Sequence, residues 1–565
     1  METGGRKKNT VALLEKKQAE RNEIKHEKAG SHVHVDAAAQ GGKTMSMRRR
    51  CELVCLGRIL MVVLMLLFAF PLRGMTAGSG AAQPAYQAPV MEDLSSLAWS
   101  AAFDKLHGKL SREYAFTDWK GIDWSALYRK FKPMIDQAQA SNNFTEYYLT
   151  LRKYVHSIPD GHVRATNIGS IDNQYISGGF GFSATKLSDG TVIASWVDET
   201  GDAYAQGLRA GAELIEWNGL EIKLALQQVP TFFGTNSATA EELANQQVRY
   251  LTRAPIHTRA LLVFANNGER CKIAMTAYDD KRKSLAHVYP MPIVSDGLRE
   301  LIVGAENPQQ PPESMVETKM LKGNIGYIKL WGEFDADFQN TGKAPSTLGL
   351  FRAALDEFNK AKAKGLIIDI RNNVGGLDSM VADMLASFYR EKTLYEYQNS
   401  FNTATGAREI RADASRQSNG ADPGLYIEPG ASVFLGPVVA LINSKCVSSG
   451  EGLAMGIKNA PRGETVGFYG THGSFGLAGG EAKMPGNIAV HWPYGQSLDK
   501  NRQVQIDSRG GIGGVSPSIR IPMTRENALK ISQGKDVELE WAMEVVNTMS
   551  LSSFFGQEKN LSGNR

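Results

Sequence analysis

Gly365-Leu366-Ile367-Ile368-Asp369-Ile370-Arg371-Asn372-Asn373-Val374-Gly375-Gly376 reads as a buried strand running into a glycine pair that opens a helix. The apolar run has strand length and stops on turn-forming residues. Further on, Val439-Ala440-Leu441-Ile442-Asn443-Ser444-Lys445-Cys446-Val447-Ser448-Ser449-Gly450-Glu451-Gly452 repeats the order of strand, tight turn and helix. Around these two stretches the pattern predicts strands over 325–330, 366–370 and 438–442, and helices over 348–363, 377–389 and 449–459. Strands alternating with helices indicate an α/β layer with crossover connections.

Working toward the N-terminus, Asn307-Pro308-Gln309-Gln310-Pro311-Pro312 is a polar connection. Before it lies a turn-rich β segment. It begins at Gly178-Gly179-Phe180-Gly181-Phe182, has β-runs at 191–194 and 260–264, and carries glycines at 207, 211 and 219 where the chain turns sharply. Earlier still, apolar residues recur at spacings of three and four from Met91 to Ile158, the mark of packed helices whose aromatics are core. The expected boundaries are a polar basic leader over 1–50, a signal segment over 51–82 and a helical domain over 83–166. The β segment follows over 167–285, a linker over 286–314, the α/β core over 315–549 and a polar tail over 550–565.

The chain has 565 residues, 42% hydrophobic and 22% charged, the proportions of globular protein. Its 4 cysteines exclude a disulfide framework. The net charge of +4 is local: residues 1–58 hold 13 Lys and Arg against 7 Asp and Glu, so the remainder carries −2. A broad basic face for nucleic acid is therefore disfavoured. Arg48-Arg49-Arg50, the apolar run Ile59 to Leu72 and the small residues after Met75 have the parts of a secretory signal, and the run is short for a spanning helix. Export to the periplasm or the cell exterior follows, with anchoring by an uncleaved 59–72 segment as the alternative. The unusual length of the polar leader suggests a start at Met45 or Met47. Cys271 and Cys446 remain in the exported body, read as two independent buried thiols that an oxidising compartment would allow to pair.

Three places could carry chemistry. Backbone N–H groups freed at Gly375-Gly376 are donors suited to a developing negative charge, or the pair is a plain turn. Ser448 or Ser449 is either an exposed nucleophile at a strand-to-helix turn or an N-cap, with Glu451 complementing the helix dipole. His162, in Pro159-Asp160-Gly161-His162-Val163, is of the side-chain type suited to proton shuttling, or is a surface histidine. No metal motif occurs in the exported body.

Together these stretches resemble the serine peptidases of the C-terminal-processing, or tail-specific, S41 family. Asp369-Ile370-Arg371-Asn372-Asn373-Val374-Gly375-Gly376 resembles its Asp-Leu-Arg-x-Asn-x-Gly-Gly signature, and Val447-Ser448-Ser449-Gly450-Glu451 its nucleophile turn. Gly514-Val515-Ser516-Pro517-Ser518-Ile519 resembles its Gly-Val-x-Pro-Asp-Ile close. Gly178 to Phe182 with Ala210-Gly211-Ala212 resembles its PDZ domain. The resemblance implies an α/β protease core of the ClpP/crotonase kind with an N-terminal helical domain and an inserted PDZ-like β domain. It implies Ser448 as nucleophile and Gly375, Gly376 and Ser449 as oxyanion donors. Gly179, Phe180, Gly181 and Phe182 would hold a peptide C-terminus. The Lys of the bacterial branch is absent from Thr471-His472-Gly473-Ser474-Phe475-Gly476. The tricorn-like branch implies His162 as base instead and an acid before the close, which Asp507 fits. His472 is the rival base. Where tricorn has a Ser before its His, Gly161 stands here. The implied function is an exported serine endopeptidase acting on protein or peptide substrates without a cofactor. The alternatives are an inactive binding protein on the same scaffold and a membrane-anchored PDZ adaptor.

Overall fold

In the computed structural model, which describes residues 86–290, 314–336, 346–412, 422–430 and 433–561 with side chains to Leu551, the three predicted strands lie together in one six-stranded sheet. Its order is Val316–Leu321, Ile325–Leu330, Gly365–Asp369, Val438–Leu441, Gly463–Gly467 and Ile519–Arg520, antiparallel in the first pair and parallel thereafter. One face, carrying Ile328, Leu330, Leu366, Ile368, Val438 and Ala440, packs against Phe351 and Leu355 of helix Thr347–Lys360. Val381 of helix Asp378–Leu385 and Leu453 and Ile457 of helix Ser449–Asn459 complete that core. On the other face Gly365 lies against Val546 of helix Val537–Leu561. Covering on both faces is why these strands read as unbroken apolar runs rather than alternating ones. The helix Val537–Leu561 also passes through the boundary expected at 549, so the tail does not begin there.

A second sheet has the order Glu92–Asp93, Gly476–Met484, Ile488–Leu498, Thr393–Asn402 and Ala407–Arg411, with Arg164–Ala165 and Leu425–Ile427 pairing at its sides. The hairpin 476–498 changes the expected domain division. Ala482, Met484, Ile488, Val490 and Trp492 share one core with Phe103, Leu106 and Leu110 of helix Trp99–Glu113. Phe131 of helix Trp124–Ala140 and Tyr147, Leu151 and Tyr154 of helix Phe144–Val155 belong to that core too. The helical block over 83–166 is therefore no separate domain: a C-terminal hairpin closes its core.

The β segment forms an antiparallel sheet ordered Glu269–Thr276, Arg259–Asn266, Glu213–Trp217, Val192–Val197 and Phe182–Lys186. Phe182–Lys186 is its edge, and helix Ala240–Leu251 packs against that strand. Cys271 and Cys446 are both free thiols, Cys446 buried and Cys271 partly exposed, which corrects the expectation of two buried ones. The leader, the signal segment with Cys51 and Cys55, and linker residues 291–313 lie outside the described residues. Among the described residues, no helix is long and apolar enough to cross a membrane.

Candidate active site

Strands Gly365–Asp369 and Val438–Leu441 are parallel neighbours, so the turns that leave their C-terminal ends emerge side by side. One turn carries the glycine pair and the other carries Ser448. Asp369 secures the first from beneath. Its carboxylate accepts from Arg371 N–H (3.0 Å) and Tyr327 Oη (2.9 Å), while Arg371 pairs onward with Asp536 (2.8 Å) and Glu538 (3.0 Å).

Ser448 has φ 59° and ψ −133°, a left-handed conformation that L-residues other than glycine rarely adopt. Such a residue costs about 1–3 kcal/mol and persists only when its surroundings fix it. Here Ser448 N–H donates to Ser474 C=O (3.0 Å), Val447 N–H donates to Asn373 C=O (3.1 Å), and Ser448 C=O accepts from Glu451 N–H (2.8 Å). The N-cap reading fails, because the Ser448 side chain caps no helical N–H. Its hydroxyl has no hydrogen-bond partner among the described residues, and the backbone of Gly375 packs against it: a Cβ on Gly375 would lie 2.6 Å from Ser448 Cβ.

The two glycines are not equivalent. Gly375 N–H donates to Asn373 Oδ1 (2.8 Å), so it is already committed and cannot serve as the oxyanion donor expected of it. Gly376 forms a parallel bridge with Glu333, in which Glu333 N–H donates to Gly375 C=O (3.1 Å) and Leu377 N–H to Glu333 C=O (2.8 Å). In such a ladder the bracketed residue turns its own N–H and C=O the opposite way. Gly376 C=O accordingly accepts from Ser449 Oγ (2.9 Å), so its N–H faces the start of helix Ser449–Asn459. Ser449, the first residue of that helix, has an N–H without an intrahelical partner. Two backbone donors thus converge beside Ser448.

Glu451 folds the next loop onto this turn. Its buried carboxylate accepts from Thr471 Oγ1 (2.5 Å), Gly473 N–H (2.8 Å) and Ser474 N–H (2.8 Å). Burial pushes its pKa up to about 7 against those three donors. The Gly-Val close is tied in through Val515 N–H to Thr471 Oγ1 (2.7 Å).

Ser474 joins the third element. Its C=O holds Ser448, and its Oγ accepts from Gly161 N–H (2.8 Å), so the His162 loop and the Ser448 turn hang on one residue. His162 Nδ1 lies 3.5 Å from Asp160 Oδ1, which also accepts from His162 N–H (2.9 Å). Asp160 is fully buried and accepts from Tyr114 Oη (2.9 Å). Burial opposes its charge, but Lys120 and His162 outweigh burial and hold the carboxyl below its usual range. Asp507 serves another purpose than the expected one. It pairs with Lys120 (2.7 Å) and accepts from Phe475 N–H (2.8 Å), with no contact to His162, and burial raises its pKa. The acid beside His162 is the local Asp160. A Pro-Asp-Gly turn, whose Asp bonds the backbone two residues on, was the sequence signal for it.

His472, the rival base, is buried with Nδ1 3.0 Å from Ser474 Oγ, and burial pushes its pKa down to about 4. Its ring also accounts for Gly161, since a Cβ there would lie 2.6 Å from His472 Cε1. At the edge of the β segment, Gly179 N–H is occupied by Tyr278 C=O (2.9 Å), which removes it from the expected carboxylate-binding set. Phe180 and Phe182 are buried with their rings against Trp217, while the N–H groups of Phe180 and Gly181 have no partner among the described residues.

Residues 324–521 match Peptidase family S41. Among solved structures, a CPAF mutant shares the fold with a TM-score of 0.54 at 16% identity, covering 80% of this chain and 98% of that one. Mature CPAF complexed with lactacystin gives a TM-score of 0.52 at 16% identity, covering 79% of this chain and 97% of that one. No curated protein matches the sequence. The two turns that frame Ser448 thus lie in a region, residues 324–521, that matches peptidase family S41 and is set in a fold shared with CPAF.

Proposed function

We propose that this protein is an exported serine endopeptidase that hydrolyses peptide bonds in protein substrates, with the Ser–His arrangement of the tricorn-like branch. The observation that carries this reading is the strained Ser448, its hydroxyl unbound among the described residues at a turn where the N–H groups of Gly376 and Ser449 also have no partner among them. Ser448 Oγ attacks the scissile carbonyl as His162 takes its proton. The carbonyl oxygen becomes an oxyanion held by the two N–H groups, and removal of one such donor costs about 10²–10³ in turnover. His162 returns the proton to the leaving amine, and water, activated by the same imidazole, releases the acyl group. Asp160 keeps the ring oriented and stabilises the imidazolium. Val374 and Leu377, partly exposed on either side of the glycine pair, offer apolar contact to the chain flanking the cut.

The edge strand Phe182–Lys186 beside helix Ala240–Leu251 supports PDZ-like recognition of a peptide C-terminus by strand addition, with the Phe180 and Gly181 amides toward the carboxylate. Export rests on the basic, apolar and small-residue order of 48–82. Incubation of the full chain with an unfolded protein, followed by mass spectrometry of the fragments, tests the activity. Cleavage that Ser448→Ala lowers by at least about 10⁴-fold is expected; equal cleavage by both proteins refutes the reading.

A further inference from the structure

The environment of Glu333 assigns a role to a residue that touches neither the nucleophile nor the base. Glu333 is fully buried and follows the strand Ile325–Leu330. Glu333's backbone bonds flank Gly376, and a Cβ on Gly376 would lie 2.3 Å from Glu333 C=O, so the two backbone segments touch there. Its side chain completes the clamp. Glu333 Oε1 accepts from Asn373 Nδ2 (2.7 Å), and Asn373 Oδ1 in turn holds Gly375 N–H (2.8 Å). Asn373 C=O also accepts from Val447 N–H, the residue before the nucleophile. One buried carboxyl therefore fixes the glycine pair relative to Ser448.

The second oxygen, Oε2, is buried with no hydrogen-bond partner among the described residues. A carboxylate there would leave charge density unsatisfied, whereas a neutral acid avoids most of that penalty. The titratable groups that face Glu333 are Asp378 at the start of the following helix, Tyr395 of the second sheet, whose hydroxyl bonds Asp378 Oδ1 (3.0 Å), and the buried Cys446 thiol of the nucleophile loop. Among the described residues no cation faces it. Ionisation would thus set an uncompensated negative charge behind the donor that must stabilise an oxyanion.

We propose that Glu333 is a positioning residue of the oxyanion hole that works as the neutral acid, and that its ionisation shuts acylation down on the alkaline side. The inference rests on the serine peptidase reading above. Burial, with Asp378 adding to it against the Asn373 hydrogen bond, pushes the carboxyl up to about 8, which places the switch within reach of ordinary buffers.

The test is the rate at which a fluorophosphonate modifies Ser448 in the full chain between pH 6 and 10. The native protein is expected to slow as the pH passes about 8. Glu333→Gln keeps the acceptor for Asn373 but cannot ionise. It should label within about threefold of the native rate at pH 6.5 and exceed it by about tenfold or more at pH 9.5. Glu333→Asp, too short to reach Asn373, should label at least about tenfold more slowly at pH 6.5 and keep an alkaline fall, which guards against misfolding of the Gln variant. Parallel profiles for the native and Gln proteins, no alkaline fall in the native protein, or a native rate in Glu333→Asp overturns the inference. No adduct on Ser448 in the native chain at any pH refutes the peptidase reading itself and this inference with it.

Discussion

Gly161 shows how one missing side chain is dictated by another far along the chain. His472 fills the space a Cβ would need, and Ser474 Oγ ties the two loops together. Gly161→Ala should therefore push the His472 ring or the His162 loop aside and destabilise the protein by about 1–3 kcal/mol, the usual cost of overpacking. His472→Ala removes the obstacle, so Gly161→Ala made in that background should cost much less, with a coupling of at least about 0.5 kcal/mol in a denaturant double-mutant cycle. Additive effects would show that the two residues do not contact. At this scale the sequence was legible where a residue's chemistry is local. Ser448 was picked out by the resemblance of Val447-Ser448-Ser449-Gly450-Glu451 to the family's nucleophile turn, and Asp160 by its Asx turn could have been. The commitment of Gly375 N–H to Asn373, and of Asp507 to Lys120, depends on partners brought in by folding, which no local spacing encodes.

Short elements deliver these groups, and their cooperation has an electrostatic cost. The one-turn helix Thr117–Lys120 inserts Lys120 among the loops at Pro159 C=O (2.9 Å), Ser508 Oγ (2.8 Å) and Asp507 (2.7 Å), close enough to Asp160 to hold its pKa down. In the native protein the depressed Asp160 adds stability above the usual carboxylate range, and that stability is lost as the pH falls through its folded value. Lys120→Met leaves two buried carboxylates without their cation, which costs about 3–5 kcal/mol near neutrality. In that variant both acids favour the protonated form, so the gap in melting temperature from the native protein should narrow toward pH 4 and widen toward pH 8. A gap independent of pH would contradict the role given to Lys120. The elements of the α/β sheet were legible because burial on both faces writes long apolar runs: strand Ile325–Leu330 and helix Ser449–Asn459 stand where the pattern placed them. Hairpin 476–498 was not, because Gly476, Gly479 and Gly480 and the irregular pairing beside them break the alternation. Its signal was the Gly486-Asn487 turn between Met484 and Ile488.

At the scale of the molecule, the loops proposed to form the active site come from segments that meet only after folding. The helical block contributes His162, the central sheet Ser448 and Gly376, and the β segment docks through the first turn of helix Ala240–Leu251. There Glu241 accepts from Gly470 N–H (2.9 Å), and Glu242 accepts from Ser444 Oγ (2.5 Å), four residues before Ser448. Because the hairpin 476–498 closes the core of the helical block, the placement of His162 is a property of the entire fold rather than of one domain. The rate of fluorophosphonate attachment to Ser448 in His162→Ala and His472→Ala, compared with the native chain at pH 7.5, tests this convergence. His162→Ala should fall by about 10²–10⁴, the usual contribution of a general base, while His472→Ala should lose less than about tenfold. Native-rate labelling of Ser448 without the His162 imidazole would contradict it.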